Sequence, residues 1–317
     1  MQENNAIATV NIPNAEITGV SGLGSKDFSI PGNELDTSDA DLAAANGDDG
    51  EVSDTISLQN WPIRGLYQPD AIATHGVARE TFVLTANEDD ARDFEVATVS
   101  DLTLAEDAFA RACRENPFVE SVADLQALKN LSNLEVTNQL GDPDDDGEFE
   151  ELYTFGARSF SVWQVADDGL DLVFRRRQRL RADLRRTVPG RTPELDRERP
   201  QTESVELGRV GDWTFAFVGT ERCSGVFVYD VTTPTAPECI QTVVNRDFSV
   251  EFDDMAADAE ADPEDDDPGR AGDWAPEGIE FVAAADSPTG TPLLAVGYEV
   301  SGTVAVFEVT ALPEPES

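Results

Sequence analysis

One plan recurs three times along this chain, and it restricts the chain to folds made by repetition. Each copy has an acidic residue beside an apolar one, a turn, and an apolar run that closes on Glu. The copies are PDAIATHGVARETFVLTANE (69–88), TESVELGRVGDWTFAFVGTE (202–221) and PEGIEFVAAADSPTGTPLLAVGYE (276–299). The spacing from first acid to closing Glu is 18 residues in the first two copies and 22 in the third, whose turn carries the insertion SPTGTP. Two copies continue alike after that Glu, with SGVFVYDVTTPTAP and SGTVAVFEVTALPEP. Alternation of Val, Phe and Tyr with smaller or polar residues, closed by Thr and Pro, reads as a strand and its exit turn.

Strand, turn, strand, short loop and strand make up most of one antiparallel blade, and radial repetition of such blades builds a propeller. The expected fold is therefore all-β, a β-propeller of WD40/YVTN-like repeat architecture. A β-sandwich with accidental similarity is the competing architecture. The N-terminus, QENNAIATVNIPNAEI, matches only the second half of a unit, with Glu3 in the closing position. Four closing glutamates (Glu3, Glu88, Glu221, Glu299) imply a partial propeller of four blade units spanning 1–312, with a 313–317 tail. The units fall near 1–20, 60–100, 200–245 and 275–310, with long inter-blade insertions at 33–58, 101–134, 175–199 and 253–273. Helical spacing in DLTLAEDAFARA and SVADLQALKNL makes 101–134 a helical excursion, while 33–58 and 253–273 read as acidic surface loops.

Charge narrows the setting. There are 64 acidic residues against 22 basic ones, a net charge of −42, and only Lys26 and Lys129 are lysines. Such a surface repels itself in dilute buffer. At about 1 M salt the Debye length falls to about 3 Å and most of that penalty goes. The expectation is a halophilic, acidic protein; a disordered acidic chain fits the strand-like alternation poorly. The sign of the charge argues against nucleic acid as a partner.

Residues 175–199 break this pattern, holding ten of the 22 basic residues. A polyanion-binding patch and an Arg-rich helix paired with acidic loops are two readings. Translation out of frame is the third and fits the abrupt break best, since Asp-, Glu- and Gly-rich codons become Arg-rich when shifted by one base. Three cysteines, Cys113, Cys223 and Cys239, form no disulfide framework and no zinc spacing. Isolated thiols are expected, with a Cys223–Cys239 bridge as the alternative. No apolar run is long enough to span a membrane, and MQENNAIATV carries no signal-peptide pattern or anchor.

Two sets of carboxylates are candidate metal ligands. Asp142, Asp144 and Asp146, followed by Gly147, reproduce the first half of a calcium loop, in which alternate oxygens fold around a hard cation. The bidentate Glu expected at the twelfth position is Tyr153, so Glu148, Glu150 or Glu151 must complete a Ca²⁺ shell. A solvated acidic turn is the bland reading of the same string. The second set is the repeated acids: Asp70, Glu203 and Glu277 before the inner strands, with Glu88, Glu221 and Glu299 at their ends. Equivalent positions in successive blades converge toward a channel mouth, where carboxylates suit Ca²⁺ or Mg²⁺; bonding to backbone amides of the next blade is the structural alternative. Asn87, Asp89 and Arg92 flank Glu88 and share either role.

Catalysis has little support. His75 sits in a turn-like THG, Ser301 lacks a nucleophile-elbow setting, and Lys26 with Asp27 is a weak local pair. The function expected is a non-catalytic extracellular or cell-surface binding or structural propeller stabilised by calcium. A metal-dependent, phosphoesterase-like hydrolase at the channel mouth is the alternative. The partner is an unknown surface ligand or protein, and oligomeric state is open.

Several long strings resemble the choice-of-anchor I family: QENNAIA (2–8), KDFSIPGNELDTSD (26–39), NWPIRGLYQPDAIA (60–73) and TANEDDARDF (85–94). They continue with VTNQLGDPDDDGEFEELYTFGARSFSVW (136–163), VNRDFS (244–249) and residues 275–309. The resemblance implies a propeller located outside the cell or at its surface, with further blades upstream of the segment seen here. The Arg-rich stretch and TESVE depart from the family's acidic, Asn-rich approach at that point. The family implies architecture more than activity.

Overall fold

The structure is a computed structural model that describes residues 4–37, 58–89, 91, 94–115, 119–127, 130–167, 169–175, 201–221, 223–248 and 272–310. Glu3, Arg92 and Lys129 lie outside the described residues, as do 38–57, 176–199 and 253–271 of the three loop-like insertions and the 313–317 tail. Among the described residues the architecture is all-β, in several sheets of which none is closed. The chain divides into two compact units, residues 1–69 with 88–158, and residues 70–87 with 159–317.

Among the described residues eighteen strands follow one another. They are β1 (Ala6–Asn11), β2 (Glu16–Gly22), β3 (Ser25–Asp27), β4 (Arg64–Leu66), β5 (Pro69–Val77) and β6 (Glu80–Asn87). Next come β7 (Val96–Thr98), β8 (Glu135–Thr137), β9 (Tyr153–Thr154), β10 (Ser159–Ala166), β11 (Gly169–Arg175) and β12 (Thr202–Val210). The last six are β13 (Trp213–Thr220), β14 (Gly225–Asp230), β15 (Glu238–Val244), β16 (Pro276–Val282), β17 (Leu293–Tyr298) and β18 (Thr303–Glu308).

The first unit holds the β1–β2 hairpin and a five-stranded sheet in the order β3-β4-β9-β8-β7, with β4 and β9 parallel. Between β7 and β8 lie a helix, Glu106–Glu115, and a single turn, Val122–Leu125, which Ser121 caps by accepting from the Asp124 amide. Phe109 and Leu125 from this excursion are buried with Phe28, Trp61, Ile63, Val99, Leu131 and Val136 in one apolar cluster. Lys26 is fully buried as well, its Nζ donating to the Ala157 carbonyl at 2.9 Å and lying 4.5 Å from the centroid of the Phe28 ring.

Among its described residues the second unit holds three antiparallel sheets, β11-β10-β6-β5, β12-β13-β14-β15 and β16-β17-β18. The three sequence repeats are the hairpins β5–β6, β12–β13 and β16–β17. The first turns through Ala78 and Arg79, both left-handed at φ 52° and 78°, the geometry that matches strand twist across a two-residue loop. Its sheet is not completed by the residues that follow Glu88. The chain spends 88–158 in the first unit, and the third and fourth strands come from 159–175 instead. Alternation identifies a strand, but pairing depends on which apolar faces meet.

Both faces of the middle sheet are apolar, because the alternating residues of β13 and β14 are hydrophobic in both registers. Ala216, Val218, Phe227 and Tyr229 share a core with Phe82, Leu84, Ala86, Phe160 and Val162 of the first sheet, and Phe160 stacks on Tyr229 with centroids 4.8 Å apart. On the other side Phe215, Phe217, Val226 and Val228 pack with Leu294, Val296, Tyr298, Ala305 and Phe307 of the third sheet. Phe217 stacks on Phe281 there, with centroids 5.9 Å apart. Each such side chain contributes about 1.5–3 kcal/mol by leaving water, so these two junctions hold the row of sheets together.

Candidate metal site

The loop 141–151 folds on itself through its own carboxylates. Asp142 accepts from the Asp146 and Gly147 amides at 3.2 and 2.9 Å, and Asp146 accepts from the Glu148 amide at 2.8 Å. Gly147 has φ 89°, which permits the sharp turn at the sixth position. Gly141 closes the base: its carbonyl accepts from the Glu150 and Glu151 amides, and a Cβ on it would meet the Glu151 carbonyl oxygen at 2.1 Å. Asp142, Asp144 and Asp146 each offer an oxygen within 4.8 Å of the others, Asp142 half-buried and the other two exposed.

Among the three glutamates expected to complete this set, the structure separates the roles. Glu151 faces elsewhere, accepting from Arg64 Nε at 3.1 Å and from the Tyr153 hydroxyl at 2.6 Å. Glu148 is exposed. Glu150 has one carboxylate oxygen, Oε2, shut off from solvent with no hydrogen-bond partner. Its carboxyl is pushed above the usual carboxylate range, first by desolvation and then by the negative charges of Asp144, Asp146 and Asp142. Glu150 therefore has a shielded oxygen without a donor and feels the charge of three mutually close aspartates, a local excess of negative charge that a cation would relieve.

The repeated acids occupy equivalent backbone positions. Glu203 and Glu277 are each the extra residue of a β-bulge, where the ladder shifts between Thr202 and Ser204 and between Pro276 and Gly278. A bulge re-aims its side chain out of the regular alternation. The closing glutamates share a hydrogen bond: the amides of Glu88, Glu221 and Glu299 donate to the carbonyls of Gln68, Gln201 and Ala275 at 3.3, 2.9 and 2.8 Å. In every copy the acceptor lies two residues before the first acid, so part of what recurs is backbone closure of the hairpin end. Asp70 and Glu203, both half-buried in the second unit, bring carboxylate oxygens within 4.8 Å of each other. Glu221 is half-buried, whereas Glu277 and Glu299 are exposed.

Residues beside these acids have structural roles that composition did not reveal. Asn87 is fully buried; its Nδ2 donates to the Ser159 carbonyl at 2.6 Å and to Ser161 Oγ at 2.9 Å, while its carbonyl accepts from Thr202 Oγ1 at 2.7 Å. It thereby ties the first sheet of the second unit to the second. Asp89 is ion-paired with Arg158, both nearly buried. The sequence offered no signal for Arg158, because the two residues are distant along the chain.

The weak catalytic candidates are likewise absorbed into the scaffold. Asp27 accepts from the Ser29 amide and hydroxyl, making a turn. Ser301 Oγ lies 2.9 Å from Thr303 Oγ1 and accepts from the Trp274 amide. His75 lies within strand β5 and not in a turn; it is half-buried, and burial holds its imidazole below the ordinary value of 6.5 despite a hydrogen bond to the Val231 backbone. Cys113, Cys223 and Cys239 are not joined in a disulfide. Among the described residues no helix is long and apolar enough to cross a membrane.

Comparison with known proteins adds a family and a relative. The model of the choice-of-anchor I domain matches residues 1–234 of the 317. The chain is also 26% identical over 201 residues to Gigasin-3a of Magallana gigas, a match covering 58% of this chain and 66% of that protein. The matched region thus takes in just under two thirds of the relative's own length.

Proposed function

This chain belongs to the choice-of-anchor I family, and from that premise we propose that it is a non-catalytic extracellular or cell-surface binding and structural module, steadied by calcium in the loop 142–150. The family and the Gigasin-3a match support an extracellular setting. The successive sheets of the second unit, each entered by an acid-bearing hairpin and packed face to face on the next, support reading it as an arc of a β-propeller.

The observation that carries the calcium reading is the unpartnered, solvent-shielded Glu150 Oε2 beside three mutually close aspartates. Oxygen-only donors of this kind select a hard cation. Asp142, Asp144, Asp146 and Glu150 would hold it, and the ion would offset their mutual repulsion and tie the loop to its base at Gly141. Calorimetric titration with Ca²⁺ in molar KCl, repeated on Asp144→Ala and Asp146→Ala, is the test. Lost binding in both supports the loop site; unchanged binding makes the loop a solvated turn.

The hydrolase alternative draws its support from the Asp70–Glu203 carboxylates in the second unit. A phosphoesterase screen in molar salt, with and without EDTA, separates it from the binding module. Metal-dependent turnover that Glu203→Gln abolishes would favour the enzyme.

A further inference from the structure

Inside the loop 141–151 one residue pairs outward. Between Glu148 and Glu150, the Phe149 amide donates to the Thr103 carbonyl at 2.8 Å, and the Phe149 carbonyl accepts from the Ala105 amide at 3.0 Å. Leu104 and Phe149 thereby form a parallel bridge. Thr103–Ala105 is the entry to the helix Glu106–Glu115, because the Ala105 carbonyl accepts from the Ala108 and Phe109 amides and starts the first turn. The acidic loop therefore grips this helix where it begins, and both lie in the first unit.

The helix depends on that grip. At 10 residues it is too short to be stable alone. Among its described side chains the buried ones are Phe109 and Cys113, one turn apart, which join the apolar cluster of Val99, Leu104 and Leu125. Phe149 packs against the same cluster, so the helix and the loop share one apolar seat as well as the entry bonds. The single turn Val122–Leu125 is fastened separately: Gln126 Nε2 donates to the Val99 and Leu102 carbonyls, both at 2.8 Å.

Charge works against this arrangement. Glu148 and Glu150 flank Phe149 in sequence, and Asp142, Asp144 and Asp146 hold their oxygens close together in the same loop. Glu106 and Asp107 add two more carboxylates in the first turn of the helix, directly after Ala105. Like charges repel, and here the repulsion falls on the segment that carries the entry bonds. A cation among the loop carboxylates removes it.

Resting on the calcium reading of this loop, we propose that the ion is a latch: Ca²⁺ at 142–150 holds Phe149 on Thr103–Ala105 and keeps the helix Glu106–Glu115 docked. Loss of the ion lets the helix open as a local unit while the sheet beneath it stays folded. Opening frees Phe149 and with it the adjoining Glu150, so the closed form binds the ion more tightly than the open one. Calcium then lowers the open population by the factor 1 + [Ca²⁺]/Kd. Occupancy of the loop sets how often the apolar face of the helix is exposed.

Cys113 reports the opening, since its thiol is buried on the helix. The full chain in molar KCl is exposed to dilute N-ethylmaleimide, and peptide mass spectrometry reads labelling at each cysteine separately. In EDTA, Cys113 should label faster than Cys223, which is buried in the second unit. Ca²⁺ at about 100 times the Kd found by calorimetry should slow Cys113 about 100-fold. Asp144→Asn keeps the shape of an exposed side chain and removes its charge. It should lose the calcium effect and label no faster than the wild type in EDTA, because one repelling group is gone. Calcium that binds by calorimetry yet leaves Cys113 labelling unchanged overturns the latch and leaves the calcium site standing. Labelling of Cys113 at the Cys223 rate in both conditions overturns it as well, by showing that no local opening occurs. Faster labelling of Asp144→Asn in EDTA refutes the repulsion on which the latch depends. Absence of calorimetric binding overturns the calcium reading itself, and the latch with it.

Discussion

Gly219 and Gly297 hold the same place in two repeats, two residues before the closing glutamate, yet their surroundings differ. A Cβ on Gly219 would meet Ser204 Oγ at 2.3 Å, the Pro276 carbonyl oxygen at 3.0 Å and Ile279 Cδ1 at 3.3 Å. The serine hydroxyl can rotate away. The Pro276 oxygen is backbone of the adjoining third sheet, and moving it means moving β16. On Gly297 the same Cβ would meet only the Gly278 carbonyl oxygen, at 3.7 Å, an ordinary contact. Alanine gains about 0.5–1 kcal/mol over glycine in a strand at either site through lost unfolded-state freedom. At 219 the overpacking, about 1–3 kcal/mol, outweighs that gain. Gly219→Ala should therefore destabilise by roughly 0.5–2 kcal/mol, while Gly297→Ala is neutral or stabilises by up to about 1 kcal/mol. With about 2–4 °C per kcal/mol for a unit of this size, the two melting temperatures should differ by roughly 1–12 °C. Thermal unfolding in molar KCl, at concentrations low enough to keep the chain dispersed, reads the difference. Equal shifts for the two variants would refute the idea that approach of the third sheet dictates glycine at 219.

Glu150→Gln should weaken Ca²⁺ binding by roughly tenfold or more while stabilising the metal-free protein at neutral pH, because the raised carboxyl pKa means that its ionised form disfavours folding; unchanged affinity by calorimetry would remove Glu150 from the ligand set. Burial lowers the His75 pKa and so favours its neutral form in the folded chain; its contribution is present above the ordinary value of 6.5 and lost as pH falls through the lowered folded value. His75→Gln should flatten that limb of a melting-temperature profile against pH. Lys26→Met keeps the apolar stem but loses the bond to the Ala157 carbonyl, and should cost about 1.5–3 kcal/mol in denaturant unfolding. Melting temperature should fall on dilution from about 1 M to 0.1 M KCl, as the Debye length grows from about 3 to 10 Å; a profile indifferent to salt would contradict the halophilic reading.

The candidate loop was half legible. Aspartates at alternate positions before a glycine are a local pattern, and the turn that they make is local too, closed by Asp142 on amides four and five residues away. Which glutamate could complete it was not legible, since that depends on Arg64, 87 residues from Glu151 in sequence, drawing Glu151 aside. The repeated acids show the same division. Their recurrence was visible in the sequence, but that Glu203 and Glu277 sit on bulges, and that the closing amides bond back to Gln68, Gln201 and Ala275, depends on ladder register.

The amino-acid order by itself determined the hairpins β5–β6, β12–β13 and β16–β17, because period-2 alternation and turn chemistry act over a few residues and need no partner. Tertiary structure alone decided that β5–β6 is completed by 159–175 across an interposed unit, that Lys26 is buried, and which face of each sheet is covered. Apolar burial is non-directional: Val228 and Val306 carry the same side chain in the same repeat position, and only the presence of a neighbouring sheet makes one core and the other surface.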